Sequence, residues 1–127
     1  MGTCPFAVGY AERTQWAGGG FDWPGIHSIS VDPRSPDTML IAVSCGGAWI
    51  TDDAGATWAP TQGMRNEYMP PGKELTPIVQ DPHRVARCAA APDVVWNQHH
   101  NGAFVLLMAA AIGPKLPNVR RLCSGSR

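Results

Sequence analysis

The feature that most limits how this chain can fold is that part of it occurs twice. The stretch IHSISVDPRSPDTMLIAVSCGGAW, Ile26 to Trp49, matches PHRVARCAAAPDVVWNQHHNGAF, Pro82 to Phe104. His27 aligns with His83, the Pro36-Asp37 turn with Pro92-Asp93 and, after a one-residue gap, Gly47-Ala48-Trp49 with Gly102-Ala103-Phe104. In each copy a short strand leads to a Pro/Asp turn. A second apolar strand then ends in small or polar residues, and a third begins at Gly-Ala-aromatic. Short strands at regular spacing, punctuated by turn residues and without a helical period, predict an all-β fold. A unit of about 55 residues fits four-stranded propeller blades. The expected architecture is therefore a partial β-propeller of about two four-stranded blades with an aberrant C-terminal tail. Residues 1-24 form a rim loop and the end of a preceding blade, 25-60 a blade, 61-81 an inter-blade connection, 82-104 an incomplete second blade and 105-127 the tail.

Composition narrows the function classes. With 127 residues, 44% hydrophobic and 16% charged, the chain suits one modest globular domain. Ten basic residues balance ten acidic ones, so there is no electrostatic footprint for nucleic acid or an anionic membrane. Cys4, Cys45, Cys88 and Cys123 are widely spaced and follow no secretory signal, which predicts a cytoplasmic protein. The longest apolar run, Phe104 to Ile112, falls short of the ~20 residues of a membrane span. No cofactor is required by the sequence.

The first copy runs on into TDDAGATW, Thr51 to Trp58, in which an Asx-rich, glycine-containing turn precedes a tryptophan. Asp accepts hydrogen bonds from nearby backbone N–H groups, Gly takes positive φ, and Thr and Trp suit a half-buried strand, so the octet reads as a hairpin tip. The second copy instead continues as VLLMAAAIGPKLPNVRRLCSGSR, with no turn at the corresponding place. Loss of one nucleotide after the Phe104 codon accounts for this. The codon straddling Met108 and Ala109 must then be glycine, and the other straddling codons permit Arg-Ser-Ser-Asp-Gly-Gly-Arg-Asp-Trp, the octet's pattern in register. An out-of-frame tail, rich in Leu, Met and Ala, is expected to favour helix, to leave the second blade incomplete and to expose its apolar side chains.

Thr51-x-Asp53-x-Gly55-x-Thr57-Trp58 resembles the Asp-box, or BNR repeat, of sialidase-like β-propellers at every defined position. With the flanking GMRNEYMPP and the second copy, the chain from about Thr14 to Phe104 is similar to bacterial BNR-repeat glycosyl hydrolases and to photosystem II assembly-factor propellers. The resemblance implies that the octet joins the third and fourth strands of a blade, that Asp53 ties down the turn and that Trp58 buries its ring between blades. It makes Thr51, Asp53, Gly55, Thr57 and Trp58 structural rather than catalytic, since a repeat does not confer an activity.

Propeller strand order places functional residues at the other end. His27 and His83 begin first strands, while Cys45, His99 and His100 end second strands, so all five belong at one rim. Alternation allows only one of His99 and His100 to face the channel. The connection brings Arg65, Glu67 and Tyr68 to that rim, Asp81 arrives with it, and Glu12, Arg13 and Trp16 approach from the other side. Imidazoles beside a carboxylate are borderline ligands for a transition metal, with His27, His83 and His100 the candidates. Strand capping by His27 and His83, and acid/base work, stay open as readings of the same residues. Arg65, Glu67 and Tyr68, with His27 and His83, are the catalytic candidates, of the residue types a sialidase uses but not in a mappable triad. Trp16, Asp81, His99 and His100 are candidate ligand-binding rim residues. Phe21 and Trp23 could stack on sugar rings, whereas Met64 and Met69 read as packing residues.

Three functions follow: a glycosidase fragment acting on carbohydrate, a non-catalytic propeller binding a protein partner on its rim, or a chain inactive as it stands because two blades cannot close a ring.

Overall fold

The computed structural model describes residue 16, residues 24–108 and residues 118–121. Two four-stranded antiparallel sheets account for it, each a meander in which every strand pairs with the next. The first holds β1 (Ile26–Asp32), β2 (Ser35–Val43), β3 (Gly47–Thr51) and β4 (Ala59–Pro60). The second holds β5 (Pro82–Arg87), β6 (Val94–His99), β7 (Gly102–Leu107) and β8 (Asn118–Arg121). A single 3-10 turn, Pro77–Val79, lies in the connection. Among the described residues there is no α-helix, and no helix long and apolar enough to cross a membrane. The chain is thus all-β. The calls on Cys4, Glu12, Arg13, Phe21, Trp23 and Cys123 lie outside the described residues.

The sheets pack against each other through Leu40 and Ala42 of β2, Ala48 of β3, Met64, Val85, Val95, Phe104, Leu106 and Met108, all buried. Because strand side chains alternate, Ile41, Val43 and Trp49 point to the opposite side of the first sheet, where Trp16, Trp58 and Ile78 pack on them. The repeat alignment pairs these outward residues with inward ones of the second sheet: Ile41 with Asn97, Val43 with His99 and Trp49 with Phe104. Equivalent residues therefore lie on the same side of each sheet. The two sheets are stacked in the same sense, an arrangement that further sheets can continue, unlike the two-fold pairing of a closed sandwich. Its outer faces remain apolar, with Ile29 61% and Val31 48% exposed on one and Trp96 49% exposed on the other.

The connection between the sheets is built into the fold. Met64, Thr61, Asn66 and Gln80 are buried, and the Asn66 and Gln80 amides donate to the backbone carbonyls of Val79, Glu74 and Thr76. Gly47 has φ 85°, and a Cβ there would stand 2.3 Å from the Pro77 carbonyl oxygen, so only glycine admits the 3-10 turn this close to β3.

The tail departs from expectation. β7 runs on through Val105 and Leu106 to Leu107, β8 pairs with it, and Val105, Leu106 and Met108 are buried rather than exposed. Met108 N–H donates to the Asp93 carbonyl as Ala54 N–H donates to that of Asp37, so the second unit meets its Pro/Asp turn as the first does. The helix preference of Leu and Met loses here to an open β6 edge and to the apolar face of the first sheet, which together supply ladder hydrogen bonds and burial. Residues 109–117 lie outside the described residues.

Candidate functional site

The octet forms the link between β3 and β4. Asp53 accepts hydrogen bonds from the Thr57 N–H (2.8 Å), the Thr57 hydroxyl and the Thr51 hydroxyl, and Thr51 Oγ1 in turn accepts from Gly55 N–H. The Thr57 hydroxyl and amide, with Thr51, hold the Asp53 carboxyl down at about 2. Gly55 (φ 90°) presents its carbonyl to Trp58 Nε1 at 3.1 Å and its bare Cα to the indole ring. Every polar group of Asp53 is thereby spent on the turn. Trp58, just ahead of β4, is half-buried with Trp49 on the face of the first sheet turned away from the second.

Beside the octet, at the same end, the sheets are clamped by charge. Asp32, 7% exposed at its side chain, accepts from Arg34 Nε and Nη2 and lies 3.5 Å from buried Arg87, while Arg34 Nη2 reaches across to Asp93 at 2.6 Å. Arg87 also donates to the Pro92 carbonyl and to Ser30. The Arg34 fork holds Asp32 down at about 2 against the opposing effect of burial.

The opposite end carries the candidate site. Both first strands are irregular at one equivalent place, between Ile26 and Ser28 in β1 and between Pro82 and Arg84 in β5. The residue in each irregularity is a histidine, His27 or His83. A bulge re-aims its side chain, and here the two rings meet edge to face with centroids 5.4 Å apart. His100, in the turn between β6 and β7, lies 5.7 Å from the His83 ring, and Tyr68 stands edge-on to His100 at 5.1 Å.

Asp81 is the anchor of this group. Its Oδ1 accepts from Ser44 Oγ and Cys45 N–H, both at 3.1 Å, and its Oδ2 lies 3.3 Å from His83 Nε2 and 3.6 Å from His100 Nδ1. Burial raises its pKa, but the Cys45 amide, the Ser44 hydroxyl and the two imidazoles outweigh this and keep the carboxyl below its usual range. Cys45 holds a left-handed backbone (φ 50°), a conformation costing about 1–3 kcal/mol in a non-glycine residue, while burial and the Asp81 charge push its thiol up.

Not every candidate reaches the rim. His99 is buried because it shares the inward side of β6 with Val95 and Asn97. Its ring packs on Phe104, its Nδ1 accepts from the Asn101 amide, and its Nε2 lies 3.1 Å from Gln80 Oε1 and 3.0 Å from the Asp81 nitrogen. Trp16 lies against Trp49, where it serves packing. Arg65 is turned toward Glu74, 3.9 Å away, whereas Glu67 is brought over by its N–H to Asn101 Oδ1. Among the described residues the ligand-like trio is Asp81, His83 and His100, without His27. Ser44 and Gln80 escaped the sequence reading, as did Arg34 and Arg87. The signal for one of them lay in the repeat itself, which sets Arg87 against Val31.

Compared with known proteins, the chain matches no family model and no curated sequence.

Proposed function

We propose that the chain is a segment of an Asp-box β-propeller related to the sialidase-like glycoside hydrolases, and that in this form it is a binding module rather than a hydrolase. The observation that carries the reading is the stacking of the two sheets in one sense, with repeat-equivalent residues on the same side of each. Blades around a propeller axis have this relation. The octet supports it, since Asp53 serves the turn and Trp58 the outer face, as in an Asp-box.

Binding is favoured over hydrolysis by what the rim offers. Most glycosidases use two carboxyl groups flanking the scissile bond, and a sialidase uses a tyrosine nucleophile with a carboxyl acid and an arginine clamp for the substrate carboxylate. Here Asp81 spends one oxygen on Ser44 and Cys45, and Arg65 turns toward Glu74. Tyr68, 71% exposed against His100, gives a flat aromatic surface suited to a sugar ring or to a partner's side chain.

The stacking half of the reading is tested by sedimentation. Faces awaiting further blades should make the isolated chain self-associate, and the Ile29→Ser/Val31→Ser pair should return it to a monomer. A wild-type chain that stays monomeric at high concentration would overturn the continued stack. For the binding half, aryl glycosides, sialosides included, should release no aryl group, and release abolished by Glu67→Gln would restore the hydrolase.

A further inference from the structure

We propose that Asp81, His83 and His100 form a binding site for one divalent transition metal ion of the zinc class, with Asp81 Oδ2 and one ring nitrogen from each histidine as ligands. The inference rests on the rim geometry and not on the propeller reading. The three ligand atoms all lie within 4.8 Å of one another. Two of the separations are 3.3 and 3.6 Å, from Asp81 Oδ2 to His83 Nε2 and to His100 Nδ1. Ligands about 2.1 Å from a tetrahedral zinc are spaced about 3.4 Å apart, so these two edges already have the span of a metal-bound set. The histidine-to-histidine edge lies within 4.8 Å as well.

The donors are prepared for this in ways that a simple ion pair does not need. Ser44 Oγ and the Cys45 amide occupy Asp81 Oδ1, leaving Oδ2 directed at the imidazoles and fixing the carboxylate as outer partners do around metal ligands. His83 Nε2 is out of contact with solvent yet completes no hydrogen bond. A buried polar atom that completes no hydrogen bond is costly, and a metal bond would recover that cost. The His27 ring braces His83 from one side and the Tyr68 ring braces His100. Two imidazoles and one carboxylate are borderline-to-hard donors that suit Zn2+, Co2+ or Ni2+ rather than Ca2+. Three protein ligands leave a fourth position for water or a ligand atom. His100 is half exposed, so that position has access from solvent.

The test uses the full chain without a histidine tag. Zn2+ is titrated in competition with a chromophoric chelator, and Co2+ is followed by its visible ligand-field bands. The expected result is one ion per chain, with affinity reduced about 100-fold or more in His83→Ala and in His100→Ala, since even outer-shell changes cost 10–100-fold. Asp37→Ala, exposed at the opposite end of the sheets, should stay within a few-fold of wild type, and circular dichroism confirms that each variant is folded. Absence of stoichiometric binding would overturn the site and leave Asp81 as an ion-pair partner for protonated histidines. So would full affinity in the His83→Ala/His100→Ala double variant, or a strong near-ultraviolet thiolate band with Co2+, either of which would place the metal elsewhere.

Discussion

The two ends of the stacked sheets solve opposite problems with the same kinds of residue. At the turn end Asp32, Arg34, Arg87 and Asp93 match charge to charge across the sheets, and Asp53 exhausts itself on its own hairpin. At the rim end Asp81 sets one oxygen beside two imidazoles, and the nearer imidazole nitrogen, His83 Nε2, is buried without completing a hydrogen bond. The first end matches each charge with an opposite one, although Arg87 Nη2 stays buried without a hydrogen bond, so its residues register mainly as stability. The second gathers imidazoles around a single carboxylate, so its residues register as affinity for something else.

The contrast breaks most readily at Arg87. Its buried guanidinium answers Asp32, Ser30 and the Pro92 carbonyl, and removing one partner of a buried pair costs about 3–5 kcal/mol. Because Arg34 stays on Asp32, Arg87→Ala should lose about 3 kcal/mol in urea unfolding, with rim affinity for Zn2+ unchanged. A loss of rim affinity equal to that in His83→Ala would show that the two ends are not independent.

Acid should act on the charge-matched end next. Asp32 and Asp53 are both held at about 2 from an ordinary 3.8, so the unfolded chain takes up protons first as pH falls. Depressed carboxyls stabilise the fold above their unfolded pKa, and that contribution is lost as pH drops from about 4 toward 2. Melting temperature should therefore decline through this window, and Asp32→Asn should flatten the decline. A wild-type melting temperature independent of pH there would contradict the clamp.

The smallest effect is expected at the rim. His100→Ala removes a half-exposed ring, and the melt without added metal should move by less than about 0.5 kcal/mol. A larger loss would make His100 part of the scaffold.

Much of this was legible from local chemistry and alternation. The repeat implied meanders of equal register, and the octet implied a hairpin pinned by Asp53. The gathering of His27, His83 and His100 at one end followed from strand order. What escaped depended on partners distant in the chain. His99 was placed at the rim by its position at a strand end, but the side of the strand, set by Val95 and Asn97, turns it inward. Leu106 and Met108 carried helix preference and became strand and core because a neighbouring sheet was waiting for them.

The shared irregularity at His27 and His83 bears on how such a site originates. When a gene segment encoding one sheet is duplicated, the bulge and the side chain it aims are copied with it. Stacking in one sense then delivers two copies of that side chain to the same place, here with rings 5.4 Å apart. A paired-imidazole surface thus arises from duplication alone, before any substitution has been selected. Later changes in one copy, such as an acid just ahead of its first strand, need only specialise what the ancestry has already assembled.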